Sequence, residues 1–336
     1  MRTSTIIYNP MSGRPGRRAE NVRGMQRLLD ARDIHSESQA TAGPGDATRL
    51  ARQAVDAKVD FIIAYGGDGT VNEVVQGMAG SQTPLGIWPG GTSNVVAKDL
   101  GYPFDVQQLA DVFAAGKIKH IALGLATRGS GFGVPSLGFT SADSGGPPQD
   151  ERAKSKADQP GSPRTLNAGP GTSGRYFLMM AGIGLDASIA RGANRRLKRK
   201  TGEFAYWVSG LKHLLTWKPE MFSLEVDGRS FQSAFALIGN GKGYGGGMCM
   251  TPNAKLDDPW FEVYILPALA NNFSYLRALH ACMRGKPEAA GAVLIKAKRV
   301  TANSSREPWV EADGEVIGPL PMTFEVVPDA LSLIVP

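Results

Sequence analysis

The chain has 336 residues, of which 42% are hydrophobic and 20% are charged, and this composition argues against wholesale disorder. Its length suits two domains, and its two cysteines are too few for a secreted disulfide framework, so we expect a cytoplasmic protein. The net charge of +6 is compatible with an anionic membrane, a nucleic acid or nucleotide phosphates and does not choose among them.

Strand and helix signals alternate along residues 1–123, which we predict to form the first domain. The strands are expected at 5–8, 61–65 and 85–88, and the helices at 17–33 and 47–57. The unbroken apolar run at 61–65 is typical of a parallel strand that is covered on both faces. Alternation of this kind predicts an α/β domain with a parallel sheet.

The remaining residues, 124–336, are predicted to form a second domain that is rich in β-strands. Residues 128–174 are rich in Gly, Pro, Ser and charge and lack a hydrophobic period, so we interpret them as an inserted flexible loop. Strands are expected at 222–227, 231–238, 261–266, 300–302, 309–312 and 322–327, and helices at 204–215 and 275–283. Short strands between turns predict a mostly antiparallel β-sandwich, with an open barrel as the alternative.

A glycine-rich stretch at 66–73 follows the apolar strand and opens a helix. Glycines allow a sharp turn and a close approach of N–H groups to an anion, and the helix N-terminus adds positive charge at the same place. Thr70 and Glu73 also match a capping box, which would fix the start of the helix. Asp68 lies among the glycines, where a carboxylate beside phosphates implies Mg²⁺ or a proton-accepting role.

Two further loops follow neighbouring strands. Residues 89–94 repeat the glycine-rich pattern, and two such loops at adjacent strand ends predict one anion-binding crevice. Residues 9–13 end the first strand and are followed by Arg14, Arg17 and Arg18, which suits contact with a phosphate or a ribose as well as an ordinary loop before a solvated helix. Residues 313–315, Asp-Gly-Glu, read by pattern alone as a hairpin turn.

With these motifs in this order, and with residues 181–186 between them, the chain resembles the diacylglycerol kinase catalytic family, which includes bacterial lipid kinases and sphingosine kinases. The resemblance covers nearly the whole chain outside the insert. It implies an ATP- and Mg²⁺-dependent lipid kinase whose nucleotide lies between two domains. It does not choose among diacylglycerol, a sphingoid base and another lipid alcohol.

The resemblance also implies roles for individual residues. Asp68 and Glu315 match the two carboxylates that have acid–base and magnesium roles, and either could accept the proton. The nucleotide contacts match Asn9, Pro10, Ser12, Gly13, Thr41, Gly66, Gly67, Gly69, Thr70, Asn72, Gly91, Thr92 and Asp313. Asp186 matches an acidic position near the lipid head group. Asp258 matches a ligand of a structural magnesium, although Pro259 replaces the glycine of the family's pattern.

For partners we expect a lipid substrate at a membrane surface, peripheral membrane association and no nucleic acid, with a homodimer left open. The basic run at 191–200 fits a solvated helix face, docking on anionic lipid or contact with ATP phosphates. Three alternatives remain: an NAD kinase, which shares the loop at 66–73, a non-catalytic nucleotide-binding regulator, and a nucleic-acid-binding protein. The loops at 9–13 and 89–94 argue against the first, and the presence of both carboxylates argues against the second. The net charge of +6 permits the third, but no interleaving of aromatic and basic residues supports it.

Overall fold

The computed structural model describes residues 1–12, 16–128, 174–185, 187–188, 217–243, 249–267, 269, 272–306 and 308–336. The first half contains β1 (Arg2–Tyr8), α1 (Arg18–Asp30), β2 (Ile34–Ala40), α2 (Asp46–Asp56), β3 (Phe61–Gly66), α3 (Asp68–Met78), β4 (Leu85–Pro89), α4 (Val95–Asp99), α5 (Val106–Ala115) and β5 (Ile118–Arg128). The second half contains β6 (Gly174–Phe177), β7 (Met180–Ile183), β8 (Phe222–Val226), β9 (Arg229–Ser233), β10 (Phe235–Gly239), β11 (Phe261–Leu266), α6 (Asn272–Met283), a 3₁₀ helix (Pro287–Ala290), β12 (Val293–Ala297), β13 (Arg299–Asn303), β14 (Trp309–Ala312), β15 (Glu315–Pro319) and β16 (Met322–Ile334).

A parallel sheet forms the centre of the first half, with the strand order β2-β1-β3-β4. Strand β3 is buried along its whole length, as its unbroken apolar sequence predicts. Two helix pairs, α1 with α5 and α2 with α3, cover this sheet. The carboxyl ends of β1, β3 and β4 therefore meet along one edge, where the three predicted loops begin.

Two sheets form the second half. One has the antiparallel order β12-β11-β10-β7-β14-β15, and the other continues the first-half sheet through β16, β13, β8 and β9. Phenylalanine rings fill the space between them: Phe177 of β6 lies 5.6 Å from Phe261 of β11 and 6.4 Å from Phe324 of β16. The predicted combination of a parallel α/β domain and a mostly antiparallel sandwich is confirmed.

Strands β5 and β16 run through both halves. Residues 331–334 of β16 pair with 118–121 of β5 and adjoin β4. Residues 322–327 pair with 123–128 of β5, and residues 322–325 also pair with β13. The predicted boundary between 123 and 124 falls inside β5 and stays a prediction. None of the helices in the described ranges is long and apolar enough to cross a membrane.

Two local predictions were wrong. The range 231–238 was expected to be one strand, but the chain leaves one sheet after β9 and enters the other with β10. The buried hydroxyl of Ser233 stabilises this change, since it lies 2.8 Å from the carbonyl oxygens of both Phe235 and Leu266. The expected helix at 204–215 and the basic run at 191–200 lie outside the described residues.

The second wrong prediction concerns the capping box. Helix α3 begins at Asp68, two residues before Thr70, and no side chain caps it. Glu73 instead accepts hydrogen bonds from the N–H groups of Gly45 (3.0 Å) and Ala47 (3.3 Å) at the start of α2. Glu73, which the pattern predicts to cap its own helix α3, therefore caps α2 instead, because α2 and α3 pack together.

Candidate functional site

The two glycine-rich loops after β3 and β4 contact each other directly. Gly90 N–H donates to the carbonyl oxygen of Gly66 (2.8 Å). A Cβ atom at Gly91 would lie within 3.0 Å of the Cα atom of Gly67, so the loops can meet this closely only if residue 91 lacks a side chain. A Cβ atom at Gly67 would lie 3.2 Å from the Cα atom of Gly91, which is a tight contact. A Cβ atom at Gly66 would likewise lie 2.5 Å from the Cβ atom of Thr70. The two loops are thus adjacent, as expected, and part of the glycine content serves the contact between them. That they form one anion-binding crevice stays a prediction.

Asp68 lies at the first position of α3, between the two loops. Its Oδ1 accepts a hydrogen bond from the N–H group of Val95 (2.7 Å), at the start of α4. Burial raises the pKa of the Asp68 carboxyl above its ordinary value, and the N–H groups around the start of α4 oppose this rise. The site therefore holds a carboxylate in fixed orientation whose affinity for a proton is increased.

The loop after β1 is held in place by Arg18. Asn9 forms a local turn, in which its Oδ1 accepts from the N–H group of Met11 (2.9 Å). Arg18 donates through Nε to the carbonyl oxygen of Ser12 (2.8 Å) and through Nη2 to that of Gly90. Its guanidinium carbon lies 4.0 Å from the ring centre of Tyr65. Arg18 was expected to contact a phosphate or to lie in solvent. It is instead buried beneath these loops, with 5% of its surface exposed. Burial lowers the pKa of its guanidinium.

The other expected nucleotide contacts are distributed along the same edge. Pro10 follows Asn9 in the turn after β1, and Thr41 follows β2 and donates its N–H to the carbonyl oxygen of Tyr8 (2.9 Å). Thr92 is exposed on the loop after β4. Gly69 is exposed in the first turn of α3. Contact of these residues with a nucleotide stays a prediction. Gly13 and Asp186 lie outside the described residues.

Glu315 reaches this edge from the second half of the chain. Asp313 and Gly314 form the turn between β14 and β15 with φ angles of 47° and 81°, which confirms the predicted hairpin. The turn directs Glu315 at the first turn of α3, where its Oε1 lies 3.9 Å from the position that a Cβ atom would take at Gly69. The two carboxylates expected to act together, Asp68 and Glu315, therefore flank the same helix N-terminus.

Asp313 and Asn72 connect the two halves of the protein. The Asp313 carboxylate accepts hydrogen bonds from the N–H groups of Leu178 (2.6 Å), Met179 (2.9 Å) and Met180 (3.0 Å) and from the side-chain amide of Asn72 (2.6 Å). Burial raises the pKa of Asp313, while these four donors oppose the rise. Both residues were expected at the nucleotide, but the contacts they make here are to the protein, and they dock α3 against β6 and β7.

Arg175, at the start of β6, is a site residue that the sequence did not reveal. Its Nη2 donates to Glu315 Oε2 and to Asn72 Oδ1 (2.8 Å), so one guanidinium joins a carboxylate of the site to the contact between the halves. Its Nε is buried and has no hydrogen-bond partner in the described part of the chain. Because Arg175 follows the low-complexity insert and belongs to no motif, no sequence signal indicated it.

The structure gives no support to the structural metal expected at Asp258. Within the described ranges, no group of three or more His, Cys, Asp or Glu side chains could hold a metal ion. Asp258 lies in a turn in which its N–H donates to the carbonyl oxygen of Lys255 (2.9 Å), and the adjacent Asp257 pairs with Lys119 at 3.2 Å. The role of Asp258 as a metal ligand stays a prediction.

Comparison with known proteins covers both halves. The sequence-family model of the diacylglycerol kinase catalytic domain matches residues 3–126. The family model of the YegS C-terminal NAD kinase beta sandwich-like domain matches residues 180–335. A diacylglycerol kinase of Bacillus subtilis (strain 168) is 29% identical over 330 residues, covering 96% of this chain and 93% of the relative. A diacylglycerol kinase of Staphylococcus aureus (strain MRSA252) is 28% identical over 325 residues, covering 95% and 88%.

The fold is shared with solved structures as well. A crystal structure of a diacylglycerol kinase from Bacillus anthracis str. Sterne matches with a TM-score of 0.70 and 23% identity, covering 99% of this chain and 97% of that chain. At this identity the match establishes the fold alone. The two family models and the curated relatives confirm the resemblance that the motifs indicated. The chain therefore contains a diacylglycerol kinase catalytic domain at residues 3–126, followed by a YegS C-terminal domain at residues 180–335, and it is a kinase, a phosphotransferase with an alcohol group as acceptor.

Proposed function

We propose that the protein transfers the γ-phosphoryl group of ATP to a hydroxyl group of a membrane lipid, and that this lipid is diacylglycerol or a close analogue. The observation that supports the proposal most directly is the position of Glu315 at the first turn of α3, where it joins Asp68 beside a glycine-lined helix N-terminus. The curated relatives, which are named diacylglycerol kinases, support the choice of lipid.

The phosphates of ATP are proposed to lie at the N-terminus of α3. The first N–H groups of a helix and its dipole favour negative charge at this position. The adjoining loop offers a further group, since the hydroxyl oxygen of Ser12 is buried and has no partner among the described residues. A buried hydroxyl without a partner is costly in an isolated protein, and a nucleotide oxygen in this crevice would satisfy it.

Asp68 and Glu315 are proposed to divide proton acceptance and magnesium binding between them. Because burial raises the pKa of Asp68, this carboxylate is the better acceptor for the proton of the lipid hydroxyl. Glu315 has a side chain that is 38% exposed and an Oε1 that faces Gly69, so we assign it to magnesium. Magnesium bound there would neutralise charge on the β- and γ-phosphates.

The reaction is tested by incubating the purified protein with γ-labelled ATP, Mg²⁺ and separate micelles of diacylglycerol, sphingosine and other lipid alcohols, with NAD as a parallel acceptor. We expect label in diacylglycerol. Label in a different lipid would keep the reaction class and correct the substrate. Label in NAD, or none in any acceptor despite bound ATP, would overturn the proposal.

The division of roles is tested with Asp68→Asn and Glu315→Gln. We expect Asp68→Asn to lower kcat by about 10²–10⁴-fold at every Mg²⁺ concentration, as loss of a proton acceptor does. Glu315→Gln should lower the rate and raise the Mg²⁺ concentration needed for half-maximal rate. Near-normal turnover by folded Asp68→Asn protein would show that its carboxylate is not the proton acceptor.

A further inference from the structure

We infer that the outer face of α6 is a docking surface for anionic phospholipid bilayers. The helix presents opposite faces to the protein and to solvent. Tyr275, Ala278 and Cys282, which are spaced by three and four residues, are buried. The ring of Tyr275 meets that of Trp217 edge-on with centroids 5.2 Å apart, and Cys282 Sγ lies 3.8 Å from the hydroxyl oxygen of Tyr264. One face therefore anchors the helix firmly to the second half of the chain.

The opposite face carries large apolar side chains in solvent. Phe273 is 68% exposed and Met283 is 58% exposed, one near each end of the helix, and the half-buried Leu276 lies between them. Val293, at the start of strand β12, is also exposed. Isolated exposed apolar residues are ordinary, but two large ones on the same side of one helix, with Leu276 between them, indicate a surface that another apolar phase covers.

Basic side chains lie beside these apolar residues. Arg277, His280 and Arg284 are exposed, and with Phe273 they follow the spacing of four, three and four residues that places them on one face of the helix. Lys286, two residues after Arg284, is exposed as well. Helix α6 itself contains no Asp or Glu, and the nearest acidic residue in the sequence is the exposed Glu288 of the 3₁₀ helix, so positive charge is in excess on this segment.

An anionic bilayer matches both properties of the α6 surface, which we define as Phe273, Leu276, Arg277, His280, Met283 and Arg284. Helices that lie at a membrane interface combine apolar residues that enter the acyl boundary with basic residues that pair with anionic head groups. A water-soluble acidic partner would satisfy the arginines but would leave Phe273 and Met283 without an apolar phase. Docking of the α6 surface on a bilayer does not depend on the proposed reaction.

The test measures flotation of the purified full-length protein with vesicles in the absence of ATP. Vesicles of phosphatidylcholine alone are compared with vesicles of equal parts phosphatidylcholine and phosphatidylglycerol. We expect the wild-type protein to float with the mixed vesicles and to bind the neutral ones weakly. The double variant Arg277→Ser/Arg284→Ser should bind the mixed vesicles about 30-fold more weakly, from the usual contribution of two arginines at an anionic surface.

A second pair of variants separates the apolar contribution. Phe273→Ser/Met283→Ser should bind the mixed vesicles roughly tenfold more weakly because it removes the apolar side chains that enter the bilayer. The matched control is Arg23→Ser/Arg52→Ser, which removes two exposed arginines from α1 and α2 and should leave binding unchanged. Thermal unfolding of each variant verifies that the fold is retained.

Equal flotation of wild-type protein and both α6 variants, or no flotation of the wild type with mixed vesicles, would overturn the inference. A wild-type dimer that the α6 variants convert to a monomer, with no change in flotation, would assign this face to contact between two copies of the chain and would also overturn it. Kinase activity on short-chain lipids dispersed without a bilayer is measured in parallel. Failure of that assay alone would reject the proposed reaction and leave the docking surface intact.

Discussion

The side-chain amide of Asn72 donates a 2.6 Å hydrogen bond to the carboxylate of Asp313, across 241 positions of the sequence. Asn72 lies on α3, one turn after the glycine-rich loop, and Asp313 lies in the turn that presents Glu315. This hydrogen bond therefore sets the distance between the helix N-terminus and the second carboxylate. The geometry of the site depends on how well the two halves of the chain are docked.

Substitution Asn72→Ala tests this dependence. It removes one of the four donors to a buried carboxylate and one acceptor of Arg175, and we expect a loss of about 1–3 kcal/mol in the free energy of unfolding. We also expect kcat to fall, because Glu315 loses its fixed position. The control is Asn21→Ala, which removes an exposed amide that donates to the hydroxyl oxygen of Tyr65 (2.9 Å) away from this contact. Unchanged stability and kcat in Asn72→Ala would contradict the docking role.

Arg175 is expected to position Glu315. Arg175→Ala leaves Glu315 Oε2 without this partner, so kcat should fall by roughly tenfold or more while the KM for ATP changes little. Arg175→Lys retains the charge but cannot contact Asn72 and Glu315 through one planar guanidinium, so we expect partial recovery. Steady-state kinetics of the two variants provide the measurement. A rise in the KM for ATP with kcat unchanged would instead identify Arg175 as a nucleotide-binding residue.

We expect ionisation of Asp68 to lower the free energy of unfolding, and the pH dependence of stability tests this. The pKa of Asp68 is raised above the unfolded value, so the folded state binds the proton more tightly. The stability that Asp68 contributes is therefore full below the unfolded pKa near 3.8 and is lost as the pH rises through the higher folded pKa. Asp68→Asn abolishes this titration.

We accordingly expect the stability of Asp68→Asn relative to the wild-type protein to increase between pH 4 and pH 7. Denaturant unfolding of both proteins at a series of pH values measures the difference. The variant should show the same kcat loss of about 10²–10⁴-fold across the whole range, since an amide accepts no proton from a hydroxyl at these pH values. If the difference in stability stayed constant with pH, or if the variant became less stable relative to the wild type as the pH rose, the pKa of Asp68 would not be raised in the folded protein.

Two helical glycines are expected to respond in opposite ways to the same substitution. A Cβ atom at Gly77 of α3 would lie within 3.0 Å of the carbonyl oxygen of Thr48 and 2.9 Å from Ala51 Cβ, so Gly77→Ala should destabilise the protein by about 1–3 kcal/mol. A Cβ atom at Gly24 of α1 would meet nothing within 4 Å, so Gly24→Ala should stabilise it by up to about 1 kcal/mol. Thermal or denaturant unfolding measures both. Equal effects would mean that α2 and α3 do not approach as closely as described.

The failures of sequence-based prediction in this chain have one physical cause: the structure of each segment depends on which distant element it pairs with or packs against. Strand β2, Ile34–Ala40, has a polar sequence and was not predicted, because an edge strand is specified by backbone pairing with β1 rather than by an apolar run. The range 231–238 was predicted to be one strand although its two parts join different sheets. Thr70 and Glu73 matched a capping box locally, yet Glu73 caps α2 because that helix packs beside it.

The amino-acid sequence by itself determined the parallel core strands β1, β3 and β4, the glycine-rich loops that follow β3 and β4, and the hairpin that carries Glu315, because each depends on the local properties of consecutive residues. Only the tertiary structure decided that Gly67 and Gly91 serve a contact between loops, that Arg18 lies beneath them, and that Asn72 and Asp313 join the two halves. It also brought Arg175 to Glu315. Side chains of these types have several partners that satisfy them equally well, and the choice among those partners is made by the packing of elements that lie far apart in the sequence.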